Sequence, residues 1–227
     1  MYFICNKLAK DDSFMQKITE TALEKATGGV FSQVEVGCWA GGTADRRHSL
    51  LKRALAAGEV VRIHRGLYVL APRYLPQKTN PFVLAQRIAG PSYISLESAL
   101  AYHNWIPEAT YAITSVVLAR PHDFHTPLGL FSYSVVPQET LFAGVQRLET
   151  GSHGESFLMA SPAKALADYV YLHKCEWTSA HPLMESLRIE EASLRGLHWQ
   201  QLNGLAANYR SKRVRRFLNG LQKDVAP

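Results

Sequence analysis

Cysteine is scarce in this chain and scattered along it. The three cysteines, Cys5, Cys38 and Cys175, form no CxxC pair, which argues against a disulfide framework and a cysteine-ligated zinc site. Scarce, unpaired cysteine is typical of a reducing compartment. The amino-terminal apolar segment is too short for a signal peptide, and no hydrophobic run approaches the length of a membrane span. We therefore expect a cytoplasmic protein.

Charged residues are also few, at 19% of the 227 residues against 47% hydrophobic residues, which is typical of a folded globular protein. The net charge of +6 is unevenly distributed. Residues 1–78 carry 12 Lys and Arg against 7 Asp and Glu, and residues 79–207 carry 7 against 11. Residues 208–227 carry 6 against 1. Basic ends around an acidic middle favour a localised site for a polyanion.

Residues 30–70 predict two helices followed by a β-hairpin. A glycine pair separates a short helix from a second one, which Thr43 can cap and Gly58 can end. Asp45 would complement the positive end of the second helix dipole. Apolar and polar residues then alternate around Arg65–Gly66, which favours a hairpin with a tight basic turn. This order is typical of a winged helix-turn-helix and predicts DNA binding.

On a helical wheel, the second helix separates an apolar side from a basic side. Ala44, Leu51, Ala54 and Leu55 share the side that would face a core. The opposite side and the hairpin turn carry basic and polar residues that could contact phosphates or base edges. The predicted DNA contacts are Thr43, Arg46, Arg47, Ser49, Lys52 and Arg53 on the helix and Arg62, His64 and Arg65 on the hairpin. The alternative is a small structural unit whose basic side chains are only solvated.

A first helix and a linker would frame this motif. Residues 11–13, Asp-Asp-Ser, can open a supporting helix that Gly28 can end. Its apolar stripe would consist of Phe14, Ile18, Ala22 and Leu23. The proline-rich segment 71–81 is typical of a linker. We therefore predict a DNA-binding domain at residues 1–75 and a second domain at residues 76–227.

The second domain combines helical and strand patterns. Helices are predicted from Pro81, after Ser95, after Ser161 and from His181 onward, and strands at residues 110–118, 130–137, 141–148 and 156–160. The proline-flanked segment 119–129 between the first two strands is expected to be a loop. The predicted fold class is therefore α+β, with a winged helix-turn-helix followed by a mixed domain that ends in helices.

Three segments together resemble the AbiEi antitoxin family, the transcriptional regulators of abortive-infection (type IV) toxin–antitoxin systems. They are GEVVRIHRGLYVL at residues 58–70, YISLESALAYHNWIPE at residues 93–108 and SPAKALADYV at residues 161–170. The hairpin segment alone is a weak signal, because many winged helices share it. The similarity extends over residues 30–173 and weakens after that.

The resemblance implies a bacterial repressor in two parts. Its winged helix would bind inverted repeats of double-stranded DNA in its own promoter, with basic family contacts at Arg46, Lys52, Arg53 and Arg65. Its second domain would counter a nucleotidyltransferase-like toxin without requiring a stable complex. A homodimer or two cooperating monomers would suit a symmetric operator, and the sequence leaves both open. The alternative is a solitary regulator, or a protein-interaction module without a toxin partner.

Two motifs resemble catalytic or metal sites. Ser161 and Lys164 match the S-x-x-K pattern of serine acyl-enzymes, but a helix cap followed by proline explains the serine, and no K-T-G partner is present. Lys164 and Asp168 are spaced as an ion pair on a helix face, worth a few tenths of a kcal/mol. His122 and His125 superficially resemble a zinc pair but fall in the expected loop. We therefore predict no catalytic residue, metal or cofactor.

A basic run near the carboxyl end is a second candidate for nucleic-acid contact. It consists of Arg210, Lys212, Arg213, Arg215 and Arg216. On a helix whose apolar side is formed by Val214, Phe217 and Leu221, these residues would add phosphate contacts and increase the salt dependence of binding. The alternatives are an ordinary solvated helix and a helix paired with the acidic middle of another subunit.

Overall fold

Two β-sheets, each packed against helices, organise the chain. The computed structural model describes residues 15–108, 110–150 and 155–225. A unit with a three-stranded sheet comes first, and a unit with a six-stranded sheet follows. Helices lie at both ends of the described chain, so the expected α+β class is confirmed at this level. None of the helices in these three ranges is long and apolar enough to cross a membrane.

Within the described residues, the first unit combines three α-helices with three short strands. They are α1 (Lys17–Lys25), β1 (Val30–Ser32), α2 (Gln33–Ala40), α3 (Ala44–Ala56), β2 (Val60–His64) and β3 (Leu67–Leu70). Strand β3 lies between β1 and β2 and pairs antiparallel with both. The two helices and the hairpin at Arg65–Gly66 are confirmed. The structure adds β1, which pairs with the outer side of the hairpin.

Local capping sets the bounds of α2 and α3. The Oγ atom of Ser32 accepts the N–H of Glu35 at 3.2 Å, and the Glu35 carboxylate accepts the N–H of Ser32 at 2.6 Å. The Oγ1 atom of Thr43 accepts the N–H of Arg46 at 3.3 Å. Gly58 follows the last turn of α3 with a φ of +63°, a conformation that favours glycine. The predicted cap and stop of α3 are both confirmed.

The start of α1 depends on a residue that is distant in sequence. The predicted opening residues 11–13, and Phe14 of the apolar stripe, lie outside the described residues. The described helix begins at Lys17, later than predicted. Glu59 is 2% exposed, and its carboxylate accepts the N–H of Gln16 at 3.0 Å and the hydroxyl of Thr19 at 2.6 Å. This buried carboxylate satisfies donors at the helix start, where negative charge is stabilising.

The second unit contains a mixed six-stranded sheet. Its strands are β4 (Ser92–Ile94), β5 (Ala112–Val117), β6 (His122–Thr126), β7 (Gly129–Ser134), β8 (Val145–Thr150) and β9 (Glu155–Ala160). Their order across the sheet is β6-β7-β5-β4-β9-β8. The pairs β5/β7 and β4/β9 are parallel, and the other neighbours are antiparallel.

In the described residues, seven α-helices complete the second unit. They are α4 (Pro81–Ile88), α5 (Leu96–Tyr102), α6 (Pro162–Leu172), α7 (His181–Leu187), α8 (Glu191–Arg195), α9 (Trp199–Asn208) and α10 (Lys212–Val225). Asn80 and Ser161 cap α4 and α6, each followed by a proline in the first turn, as the sequence predicts for α6. Buried residues such as Ile94, Leu166 and Phe217 join strands and helices in one large core.

The expectation of a loop at residues 119–129 was wrong. Strand β6 occupies His122–Thr126 and pairs antiparallel with β7 through a turn at Pro127–Leu128. Because β6 is an edge strand, flanking prolines do not interrupt a ladder on both sides. His122 and His125 stand three residues apart on a strand, so their side chains point to opposite faces and cannot bind one metal together.

Both faces of the small sheet are buried, each in a different core. Phe31, Tyr68 and Leu70 pack with α1–α3, whereas Val30 and Val69 belong to the large core of the second unit. A salt bridge of 2.6 Å between the exposed side chains of Glu35 on α2 and Arg87 on α4 adds a polar link. The predicted domain boundary at residue 75 falls between β3 and α4 and stays a prediction. The small sheet therefore fixes the first unit against the second.

Candidate nucleic-acid interface

Helix α3 exposes its basic side. Leu50, Leu51 and Ala54 are buried, and Leu55 is half-buried, which matches the predicted apolar side except at the helix start. Ala44, predicted on the core side, is exposed because it precedes the turn that contacts the core. The predicted contacts Thr43, Arg46, Ser49, Lys52 and Arg53 are all exposed, and Arg47 is half-buried. The helix therefore presents a basic outer surface.

The two arginines of the hairpin also lie at the surface. Arg62 on β2 is exposed and lies directly opposite Tyr68 on β3, so its side chain shares the sheet face that packs on the helices of the first unit. Arg65 is exposed in the turn between β2 and β3. Both positions are therefore on the accessible part of the hairpin, as predicted.

His64 occupies a different environment from its neighbours. Its ring centroid lies 5.4 Å from that of Phe124 on β6, at the junction with the second unit. Its Nδ1 atom lies 2.9 Å from the backbone oxygen of Arg65, and its Nε2 atom is buried. The imidazole thus packs between the two units and does not extend from the hairpin tip, so we omit His64 from the interface proposed below.

An open cleft separates α3 from the hairpin. It has a volume of about 620 Å³. The residues around it are Gln33, Val34, Gly37, Ala44, Arg47, Arg65 and Gly66. Arg47 donates from Nη1 to the backbone oxygen of Gly42 at 3.0 Å, which holds its guanidinium at the cleft wall. The lining carries two arginines and no carboxylate, so it suits an anionic ligand.

A second opening, of about 610 Å³, lies beside the turn after α1. Its charged lining residues are Glu24, Lys25, Lys78 and Glu155. The Glu155 carboxylate lies against Gly28, where an added Cβ would meet its Oε1 atom. Because acidic and basic side chains balance there, this opening is a poorer candidate for a polyanion than the cleft beside α3.

The basic residues of the first unit differ from those of α10 in their ion pairs. Among the described residues, no carboxylate lies within salt-bridge distance of the arginines of α3 and the hairpin or of Lys52. Arg210 pairs with Glu139 at 2.8 Å, and Arg213 pairs with Glu176 at 2.7 Å. The charge of α3 is thus available to a ligand, whereas much of the charge at the carboxyl end is already compensated.

The carboxyl-terminal basic run is therefore partly paired with carboxylates. Arg216 lies 3.9 Å from Glu176, so three of its five members face carboxylates of the same chain. The hydrogen bond from Arg210 holds the pKa of Glu139 below its ordinary value. Lys212 and Arg215 have no carboxylate within salt-bridge distance among the described residues. These pairs resemble the alternative of a helix paired with acidic residues, but here the carboxylates belong to the same chain.

A buried polar cluster lies at the centre of the second unit. Lys164 and Asp168 on α6 are completely buried and form an ion pair of 3.1 Å. The Nζ atom of Lys164 also donates to the side-chain oxygen of Gln138 and, at 2.7 Å, to the hydroxyl of Tyr209. The hydroxyls of Tyr93 and Tyr209 donate to Asp168 at 2.9 and 2.6 Å. The ion pair predicted on this helix face is present, but both of its side chains are buried and not exposed to solvent.

Ser95 joins this cluster and does not cap α5. It occupies the position before α5, but its hydroxyl donates to Asp168 at 2.7 Å and makes no capping bond. Ser161 does cap α6, accepting the N–H of Lys164. The amino group of Lys164 is engaged with Gln138, Asp168 and Tyr209. The lysine is therefore not placed as a base for Ser161.

Burial perturbs the ionisable groups of this cluster. Loss of solvation lowers the pKa of Lys164, although Asp168 opposes the shift. Burial also raises the pKa values of Tyr93 and Tyr209, and the nearby Asp168 charge adds to both shifts. The three N–H groups of a charged Lys164 match its three acceptors, so we assign a charged lysine to the folded state.

No model of a known protein family matches this chain, and no curated protein matches it. In the described ranges, no three His, Cys, Asp or Glu side chains converge as metal ligands would. The candidate site therefore depends on the geometry and charge of α3 and the hairpin.

Proposed function

We propose that the first unit is a winged helix-turn-helix and that the protein binds double-stranded DNA as a transcriptional regulator. The observation that carries this proposal is the set of cations on α3 and the hairpin, two of which, Arg47 and Arg65, line the cleft between these elements. The full set is Arg46, Arg47, Lys52, Arg53, Arg62 and Arg65. Cations that have no carboxylate at salt-bridge distance in the described part of the chain, grouped on one helix and one hairpin, suit a phosphate backbone.

Helix α3 would enter the major groove, which has room for one α-helix. Arg46 and Arg53 on its outer side would reach base edges or phosphates, and Thr43 and Ser49 would add hydroxyl contacts. Lys52 would bind phosphates. Arg62 and Arg65 on the hairpin would contact the backbone or the adjacent minor groove. In this arrangement the protein acts by binding and needs no catalytic residue.

We expect Arg46→Ala and Arg53→Ala each to weaken binding to the gene's own upstream duplex by about 1–3 kcal/mol, or roughly 5- to 150-fold. Each variant removes a cation that compensates backbone charge or reads a base edge. A gel-shift titration at fixed salt measures the affinity. Arg195→Ala is the matched control, because Arg195 is an exposed helical arginine that pairs with Glu191 at 2.7 Å.

Two results would reject the α3 assignment. One is unchanged affinity in both Arg46→Ala and Arg53→Ala while the control also binds normally. The other is a loss confined to Lys212→Ala or Arg215→Ala, which would move the interface to α10. Circular dichroism of each variant distinguishes weaker binding from unfolding.

We also propose that the second unit is the antitoxic module of an AbiEi-type regulator. What supports this is the position of the two motif segments that carry the resemblance. Tyr93 and Ser95 from YISLESAL and Lys164 and Asp168 from SPAKALAD contact one another in the buried cluster. A shared cluster explains why these residue types would occur together in one module.

One variant of the chain can distinguish the two proposed activities. The double variant Arg46→Ala/Arg53→Ala should lose promoter binding but still restore growth when it is co-expressed with a nucleotidyltransferase-like toxin encoded beside its gene. Growth assays with the wild-type chain and with an empty vector define full restoration and no restoration of growth. Failure of the wild-type chain to restore growth would leave a solitary regulator as the alternative.

A further inference from the structure

Strand β8 is an edge of the six-stranded sheet. It lies last in the strand order and pairs with β9, its one strand partner in the described chain. Gln146, Arg147 and Glu149 on it are exposed. The opposite edge, β6, has β2 of the first unit beside it. An edge strand carries N–H and C=O groups that can pair with a further strand.

One hydrogen bond defines which backbone groups of β8 point outward. The N–H of Ser161 donates to the C=O of Gly144 at 2.8 Å, and this pair continues the β8/β9 register. In an antiparallel ladder, hydrogen-bonded and non-hydrogen-bonded pairs alternate, so the even-numbered residues of β8 bond to β9. The N–H and C=O groups of Arg147 and Glu149 therefore point away from the sheet.

The charged residues of β8 are complementary to those of a second, antiparallel copy of the same strand. If two copies of β8 run antiparallel about a twofold axis through Leu148, Arg147 of each copy lies opposite Glu149 of the other. Both residues point their backbone groups outward, so each such pair can exchange two N–H···O=C bonds. Opposite charges directly across two strands stabilise pairing. Arg147 uses Nε to bond Ser156 at 2.9 Å, which leaves its Nη groups for the second copy.

Neighbouring registers are less favourable. An axis through Arg147 sets two arginines opposite each other, and an axis through Glu149 sets two carboxylates together, which destabilises pairing. An axis through Gln146 places Glu149 against Ala143, which lies in the turn before β8. The alternating charges therefore disfavour these three registers and favour the one about Leu148.

We propose that β8 is a homodimerisation strand that joins two copies of this chain through Arg147–Glu149 pairs about Leu148. The two six-stranded sheets become one continuous sheet across the twofold axis. Because a short strand pair forms few backbone bonds and buries little surface, we expect a weak dimer whose population depends on concentration. The proposal does not depend on DNA binding, and its test contains no DNA.

Charge reversal tests the register directly. We expect Arg147→Glu and Glu149→Arg each to weaken self-association at least about tenfold, because each sets like charges opposite each other. An equimolar mixture of the two variants should restore association, since every opposed pair is then again of opposite charge. Sedimentation velocity over a concentration series measures the monomer–dimer equilibrium, and circular dichroism checks that each variant is folded.

Exposed charges elsewhere provide the control. Arg195→Glu and Glu191→Arg reverse an exposed pair on α8 and should leave self-association unchanged. A wild-type chain that stays monomeric at millimolar concentration overturns the proposal. So does a dimer that both β8 variants leave intact, or a mixture of the two variants that fails to associate. Restoration in the mixture, with no effect of the control variants, establishes the register.

Discussion

Asp168→Ala lowers the free energy of unfolding by about 3–5 kcal/mol, because it leaves the buried Lys164 charge without its counter-ion. The substitution also removes the acceptor of the hydroxyls of Tyr93, Ser95 and Tyr209, all of which lie within 2.9 Å of the carboxylate. A buried donor without an acceptor costs more than the bond itself contributes. Urea denaturation followed by circular dichroism measures the change.

The matched control is the exposed i,i+4 pair of α8. Glu191→Ala should change the free energy of unfolding by less than about 1 kcal/mol, as expected for an exposed ion pair. The double variant Lys164→Met/Asp168→Leu should be less destabilised than Asp168→Ala, since it buries no charge. Equal losses in Asp168→Ala and Glu191→Ala would contradict the assignment of a buried charged cluster.

Alkaline pH should destabilise the fold steeply above about pH 10. Burial raises the pKa values of Tyr93, Tyr133 and Tyr209 in the folded state, so above pH 10 only the unfolded chain ionises these tyrosines. Their stabilising contribution is complete below the unfolded value and is lost as pH rises. Each tyrosine lowers the free energy of unfolding by up to about 1.4 kcal/mol per pH unit. The combined loss exceeds that from any single exposed group.

Lys164 affects the pH dependence of the free energy of unfolding in the opposite direction and at lower pH. Its pKa is lowered by burial, so the folded state gains relative stability as pH rises towards the ordinary lysine value and then no further. The decline of the free energy of unfolding above about pH 10.5 is therefore due to the tyrosines.

The urea midpoint should decline less steeply with pH above this value in Tyr209→Phe than in the wild-type chain. Tyr111→Phe, at a side chain that is 93% exposed, should keep the wild-type slope. Identical slopes in all three proteins would contradict this account.

The parts of the fold that sequence predicts well depend on local interactions. The start and end of α3 follow from Thr43 and Gly58, which act within one turn of the helix. The hairpin follows from alternation around Arg65–Gly66, and the start of α6 follows from Ser161 and a proline. Each of these signals lies within a few residues of the structure it determines.

The parts that sequence did not predict depend on distant partners. Strand β6 forms because β7 provides a ladder, although most residues of β6 are polar and prolines flank it. Lys164 and Asp168 have the spacing of a solvent-facing pair, and only Tyr93, Gln138 and Tyr209 from other elements make them a buried cluster. A helical spacing alone does not specify what covers the helix.

The basic residues illustrate the same limit in the candidate site. In sequence, Arg53 on α3 and Arg213 on α10 are equally basic and equally helical. In the structure, Arg213 lies 2.7 Å from Glu176, which is distant in sequence, while Arg53 remains exposed. His64 was likewise predicted as a DNA contact on the hairpin, but its ring packs against Phe124. Accessible charge, and not the number of basic residues, therefore selects the first unit as the proposed interface.

Hydrogen–deuterium exchange of the full chain, with and without its own upstream duplex, tests the proposed DNA interface most directly. The account predicts that DNA slows exchange in peptides covering α3 and the β2–β3 turn, with little change in peptides from α7 and α8. Protection confined to α10, or no protection in α3 under conditions where the duplex is bound, would contradict the proposed function.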